Sequence, residues 1–223
     1  MKSNKTYIIT IDGTSSSGKS TISKLLANNL NFKLLDSGKL YRAAGYAANQ
    51  TKKNFEEITN YDLLISDLSL RVNMNNEYEI YFNDKKIDNL LYDEQIGEAA
   101  SIVSKIPQVR KCMYEIQHSC LDGTGLIANG RDMGTEVFPD ADLKLFIDAS
   151  LDIRAERRYQ ELKSKGHDVD YESTYLSLKK RDDSDMNRAL SPLKVPDNAV
   201  IIDTSEQKPA AIVDKILNLY NIT

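Results

Sequence analysis

The chain has 223 residues, enough for one sizeable core with a small inserted subdomain and too few for several independent domains. Its formal net charge of −4 opposes a nucleic-acid-coating role, which needs lysine and arginine to displace counterions, but leaves room for a local basic pocket that takes a small anion. No segment approaches the ~20 consecutive apolar residues that span a bilayer, and the apolar run in MKSNKTYIITIDG stops at Asp12 and Gly13, short of a secretory leader, so a cytoplasmic protein without membrane partners is expected.

The segment TYIITID reads as a strand covered on both faces, and after a short loop Ile22, Leu25, Leu26 and Leu30 follow helical spacing. In LSLRVNMNNEYEIYFNDKKI, Leu68, Leu70, Val72 and Met74 alternate with polar residues, as do Tyr78, Ile80 and Phe82 beyond the Asn75-Asn76 turn, which predicts an antiparallel hairpin. Helical spacing resumes at Ile96, Ala99, Ala100 and Val103, and Pro107 is placed to open another helix. Cys112 and Cys120 then fall in one helical stretch, too far apart along it to bridge, and read as reduced thiols. With only two histidines, at unhelpful spacings, a zinc site is not expected. Buried runs at LIANG, LKLFID and NAVIID are separated by helical patterns over 151–165 and 171–188, and a last helix over 208–220 carries Ile212, Val213, Ile216 and Leu217 on one face. Strands alternating with helices predict a parallel sheet flanked by helices.

GTSSSGKS, residues Gly13, Thr14, Ser15, Ser16, Ser17, Gly18, Lys19 and Ser20, matches G-x-x-x-x-G-K-[ST] between that first strand and helix. Its backbone N–H groups and the helix N-terminus, which begins with Ser20 and Thr21, suit phosphate oxygens. Lys19 supplies charge at the β- and γ-phosphates and Ser20 a hydroxyl ligand to Mg²⁺. The alternative, a Gly/Ser-rich turn that happens to precede a helix, does not explain why strand, loop and helix occur in this order. The loop identifies a nucleoside triphosphate and not a reaction; no Asn-Lys-x-Asp guanine-reading sequence occurs in the chain, which counts against a GTPase switch.

Phosphoryl transfer asks for alignment of donor and acceptor and for neutralisation of charge on the moving group. Cations recur at Arg42, Arg110, Arg131, Arg154, Arg157, Arg158, Arg181 and Arg188. Each alone reads as a solvated helix residue, and Arg154 is balanced evenly between that role and a ligand; as a set they can line one cleft. RRYQELKSKGHDVDYES reads as a helix end and an exposed loop able to close over a nucleotide. In LIANGRDMGTEVFPD, Arg131 and Asp132 stand between Gly130 and Gly134, either as a self-satisfied buried pair or as two separate site residues. A carboxylate at this strand end could also help hold Mg²⁺.

IDGTSSSGKST, LLDSGKLYR, NGRDMGTEVFPDA, LFIDAS with RAERR after it, and RDDSDMNR, spread from about residue 8 to about residue 205, together resemble the bacterial type of cytidylate kinase. The resemblance implies an α/β P-loop kinase fold in a single domain, 1–223. Its five-stranded parallel sheet would be flanked by helices, with a small antiparallel β insert within 64–97 and a helical lid over 155–170. It implies transfer of the γ-phosphoryl group of ATP to CMP or dCMP with Mg²⁺, by a protein expected to act as a monomer. Carried over by position, Ser37, Tyr41 and Arg42 line the monophosphate site, and Arg42, Arg131 and Arg181 approach its phosphate. Ser101, Arg110 and Asp132 face the cytosine ring, and Asp185 and Arg188 lie near the sugar. Lys19, Arg131, Arg157, Arg158 and Arg181 are the expected catalytic cations. A carboxylate is also the acceptor that an exocyclic amine demands, and uracil carries a carbonyl there instead.

Overall fold

Ile8–Gly13 (β1) is the central strand of a five-stranded parallel sheet whose order is β2-β6-β1-β7-β8. Its other strands are Lys33–Asp36 (β2), Leu126–Asn129 (β6), Leu143–Asp148 (β7) and Val200–Asp203 (β8). The computed structural model describes residues 6–220, so the ends of the expected 1–223 domain lie outside the described residues.

Alternation along the strands distributes the apolar residues to two faces, as a sheet covered by helices on both sides requires. Ile9, Ile11, Ile127, Leu145 and Ile147 pack with Lys19–Leu30 (α1) and Pro209–Tyr220 (α8), which contribute Ile22, Leu26, Ile212 and Ile216. Leu35, Leu126 and Ala128 point to the opposite face. There they meet Ser37–Gln50 (α2), Tyr61–Ile65 (α3), Glu94–Val103 (α4) and Pro107–His118 (α5). Leu151–Ser164 (α6) and Tyr171–Asn187 (α7) pack on each other. Their N-termini are capped: Ile153 N–H donates to Ser150 Oγ at 3.4 Å, and Ser173 N–H to Asp170 Oδ1 at 2.8 Å.

The predicted hairpin is present as Leu68–Val72 (β3) and Tyr78–Phe82 (β4), paired antiparallel with Leu70 opposite Ile80 and extended by a short third strand, Lys85–Lys86 (β5). Asn76 takes φ 58 at the turn, a conformation asparagine tolerates. The insert docks through Leu34 N–H, which donates to Asn76 O at 2.8 Å, and through the Lys39–Asp88 ion pair, whose Asp88 also accepts from Ile80 N–H at 2.9 Å.

The pattern reading leaves β2 and α2 unassigned. β2 offers only two apolar residues, Leu34 and Leu35, too few for periodicity to register. The buried face of α2 is Leu40, Ala43, Ala44, Ala47 and Ala48, and the alanines, though correctly spaced, carry a weak apolar signal. Cys112 lies in α5 and Cys120 just past its end; both are buried free thiols.

Candidate active site

The carboxyl ends of β1, β6 and β2 converge on one crevice, where a parallel sheet places its ligands. β1 runs into the phosphate loop at Gly13, whose φ is 141 and where a Cβ would stand 1.9 Å from Ile147 O; only glycine fits. Thr14 Oγ1 donates to Asp148 Oδ1 at 2.5 Å and Ser17 Oγ to Thr14 O at 2.9 Å, fixing the loop from within. Gly18, at φ 90, precedes the first turn of α1. Lys19 curls back over the loop, donating to Thr14 O, and is buried. Burial, then the nearby Arg131, drives its ammonium well below the ordinary lysine value, and an anion bound in the loop would favour its charged form. The residues Ser20 and Thr21 on the first turn of α1 are exposed, and Asn129 Nδ2 lies 3.4 Å from both Ser20 Oγ and Asp36 Oδ2.

The adjacent Arg131 and Asp132 turn to different partners. Arg131 Nη2 donates to Ser15 Oγ at 2.6 Å, and its Nε to Asp185 Oδ2 at 2.9 Å. Asp132, 2% exposed, pairs with Arg110 from α5 and lies 3.6 Å from Nη2 of Arg188, just beyond α7. Arg188 Nη2 is buried without a hydrogen-bond acceptor among the described residues, so one donor remains unused beside this carboxylate. Arg188 Nε donates to Ser191 O at 2.6 Å. Burial pushes the Asp185 carboxyl up, and Arg131, with Arg181 and Arg188, outweighs this and holds it below the usual range.

Arg181 is exposed at the crevice, yet the surrounding protein, and after it Arg131, lowers its guanidinium to about 10. Arg42 and Arg158 add to that like-charge field, and Arg158 likewise acts on Arg42, whose guanidinium burial lowers first. Thus Lys19, Arg42, Arg131, Arg158 and Arg181 crowd one region, an arrangement that favours a polyanion between them. Arg42 Nη1 donates to Leu91 O at 2.9 Å and Arg158 Nη1 to Glu161 Oε2 at 3.0 Å. Arg157 takes another direction: it donates to Thr204 Oγ1 at 3.0 Å and Thr204 O at 2.7 Å, while Thr204 Oγ1 donates to Ser17 O at 2.8 Å.

A pocket of about 250 Å³ is lined by Tyr41, Arg110, Tyr114, Gln117 and Val137 among others. Burial pushes the Tyr41 phenol up to about 12, so it is neutral, and the Arg110 guanidinium stands 5.7 Å from its ring centre. Ser37 Oγ accepts from the buried Gln117 Nε2 at 2.9 Å. Ser101 sits half-buried on α4, and Ser104 in the next turn accepts from Arg110 through its carbonyl at 3.3 Å. A second cavity of about 340 Å³ is lined by Arg188 together with Lys105, Ser184 and Asn187.

Arg154, which the sequence left evenly balanced between a solvated helix residue and a ligand, is 5% exposed and donates to Ser15 O at 3.2 Å, Ala149 O at 2.9 Å and Asp182 Oδ2 at 2.6 Å. It ties the phosphate loop to α6 and α7. Sequence reasoning also missed Asp12, Asp182 and Thr204, all buried, whose partners lie far along the chain. Only Asp12 carried a signal, as a charge at the end of an apolar strand.

A model of the family described as cytidylate kinase matches residues 9–222. A cytidylate kinase of Shewanella oneidensis is 39% identical over 222 residues, covering 98% of this chain and 96% of that one. One from Pseudomonas aeruginosa is 38% identical over 213 residues, covering 94% and 93%. Among solved structures, a gluconokinase from Sinorhizobium meliloti 1021 gives a TM-score of 0.50 at 14% identity over 96% of each chain, a likeness of fold alone. With the family's model matched from the first core strand to the last helix, the chain belongs to the cytidylate kinase family and is a nucleoside monophosphate kinase of the P-loop type.

Proposed function

We propose that this protein transfers the γ-phosphoryl group of ATP to CMP and dCMP, giving CDP and dCDP, in the presence of Mg²⁺. The observation that carries this reading is the divergence of Arg131 and Asp132. A cation faces the phosphate loop while the adjacent, buried carboxylate pairs with Arg110, which itself lines the pocket beside Tyr41. The acceptor phosphate would lie among Arg42, Arg131 and Arg181, with the ring in the pocket beside Tyr41. Asp132 accepts a hydrogen bond from the amine of cytosine there and meets a carbonyl lone pair in uracil. A buried group left unpaired by the wrong ligand discriminates strongly.

Lys19, Arg157 and Arg158 are assigned to the triphosphate, where charge develops on the transferring group, and Arg181 to the position between donor and acceptor. The acceptor is already an ionised phosphate oxygen, so no general base is required. The loop fits a triphosphate: its backbone takes a turn at Gly13 that only glycine allows, and its lysine is desolvated in advance. Ser20, with its exposed side chain beside Asn129 and Asp36, suits a divalent ion that also takes phosphate oxygens and water. Mg²⁺, when bound, neutralises phosphate charge and aligns the donor. Closure of 155–170 over the donor would exclude water from the transferring group.

The test is a coupled assay of ADP formation from ATP and Mg²⁺ with CMP, dCMP, UMP or AMP. Turnover with CMP and dCMP well above the other two is expected; turnover independent of monophosphate, or a preference for UMP or AMP, overturns the reading.

A further inference from the structure

Asp12 is the last polar residue of β1, directly before Gly13, and is fully buried. Both of its carboxylate oxygens are used by the loop that follows β6: Met133 N–H donates to Oδ1 at 2.8 Å and Gly134 N–H to Oδ2 at 2.7 Å. These are the first two amides of a π-helical turn, Met133–Val137, whose opening N–H groups have no partner within the turn itself. On its other side, Asp132 O accepts from Glu136 N–H at 3.0 Å and Val137 N–H at 3.2 Å, and Gly130 N–H donates to Ile11 O at 3.0 Å. The backbone around Asp132 is therefore held before and after, and its side chain meets Arg110 and Arg188. The turn sits tightly on β1: a Cβ at Gly134 would come within 2.8 Å of Thr10 Oγ1 and 2.9 Å of Pro196 Cγ.

From this geometry we infer that Asp12 is a positioning residue for monophosphate selection, acting through the backbone of Met133 and Gly134 to hold Asp132 against Arg110, which lines the base pocket, and Arg131 at the phosphate loop. It rests on the proposed CMP specificity and deepens it. A buried carboxylate paired to no cation would normally be replaced by an apolar residue. The charged groups nearest it are Asp132, which opposes its ionisation, and Lys19, which favours it. Because Asp12 also borders the first residue of the phosphate loop, one side chain sets the register between donor loop and acceptor loop. Pre-organised site residues depend on such supporting bonds, and a displacement of about 1 Å can cost roughly 10²-fold in rate.

The test uses the intact enzyme with Asp12→Asn, which keeps the shape but turns one acceptor into a donor facing an N–H. Asp12→Ser, small enough to admit a water, is the second variant should the first fail to fold. ATP affinity and thermal midpoint are measured beside the steady-state constants. Expected are near wild-type ATP affinity, a rise of about tenfold or more in KM for CMP, a smaller fall in kcat, and a drop of about tenfold in the CMP-over-UMP preference. In an Asp132→Asn background the same substitution adds no further loss of preference, because it acts through that residue. Undiminished preference in a folded variant overturns the inference, and so does a parallel loss of ATP and CMP binding, which marks a merely structural role. A wild-type enzyme that does not favour CMP overturns the functional reading as well, so the two failures are distinguishable.

Discussion

Arg131 and Asp132 are consecutive in the chain and do not pair: the guanidinium lies against Asp185 and Ser15, and the carboxylate against Arg110 and Arg188. Neighbouring opposite charges can neutralise each other, yet here each is met by a partner from another element, Arg131 by Asp185 and Asp132 by Arg110.

Replacing Asp132 with Ala should lower kcat/KM for CMP by about 10²-fold while changing that for UMP much less. Each well-made polar contact to a base edge contributes roughly 1–3 kcal/mol of discrimination. Parallel kinetics with the two monophosphates check this, and an unchanged ratio would falsify the base-reading role.

Lys19→Met should reduce kcat by roughly 10² to 10³. The thermal midpoint should not fall, because Lys19 is a buried cation pressed against Arg131 and bonded to a carbonyl rather than to a carboxylate. Calorimetry beside single-turnover rates checks both halves of this expectation.

Arg154→Met breaks a buried ion pair and leaves Asp182 uncompensated, which typically costs about 3–5 kcal/mol. Adding Asp182→Leu should recover a large part of the loss in chemical denaturation. Activity should not return with it, because Ser15 O in the phosphate loop still lacks its donor.

Burial raises the Asp12 carboxyl from 3.8 to about 6, against the two amide bonds that lower it. The folded state therefore binds its proton more readily than the unfolded state, and the stabilisation this gives is complete below pH 3.8 and lost as pH rises through about 6. Relative to Asp12→Asn, which does not titrate, the wild type should gain roughly 2 kcal/mol between pH 7 and pH 4. Denaturation of both proteins across that range measures the difference, and a flat difference would contradict the raised value.

The strands and helices with strong apolar periodicity were legible because the signal is local: TYIITID needs nothing beyond its own seven residues, and GTSSSGKS announces its chemistry between a strand and a helix. The hairpin was legible for the same reason. β2 and α2 were not, since a four-residue strand and an alanine face become meaningful only once β6 and α4 are packed on them.

The candidate site divides along the same line. Residue types, charges and motif order belong to the sequence by itself, and with them the phosphate loop, the set of arginines and the family. Their directions do not. Arg154 turned inward because Asp182 and Ser15 O wait on other elements, Arg157 turned to Thr204, and Arg131 and Asp132 parted because Asp12, more than a hundred residues earlier, grips the amides that follow them. Hydrogen bonds and ion pairs between distant segments exist only after the chain has closed its loops, so only the tertiary structure could decide which charge faces which.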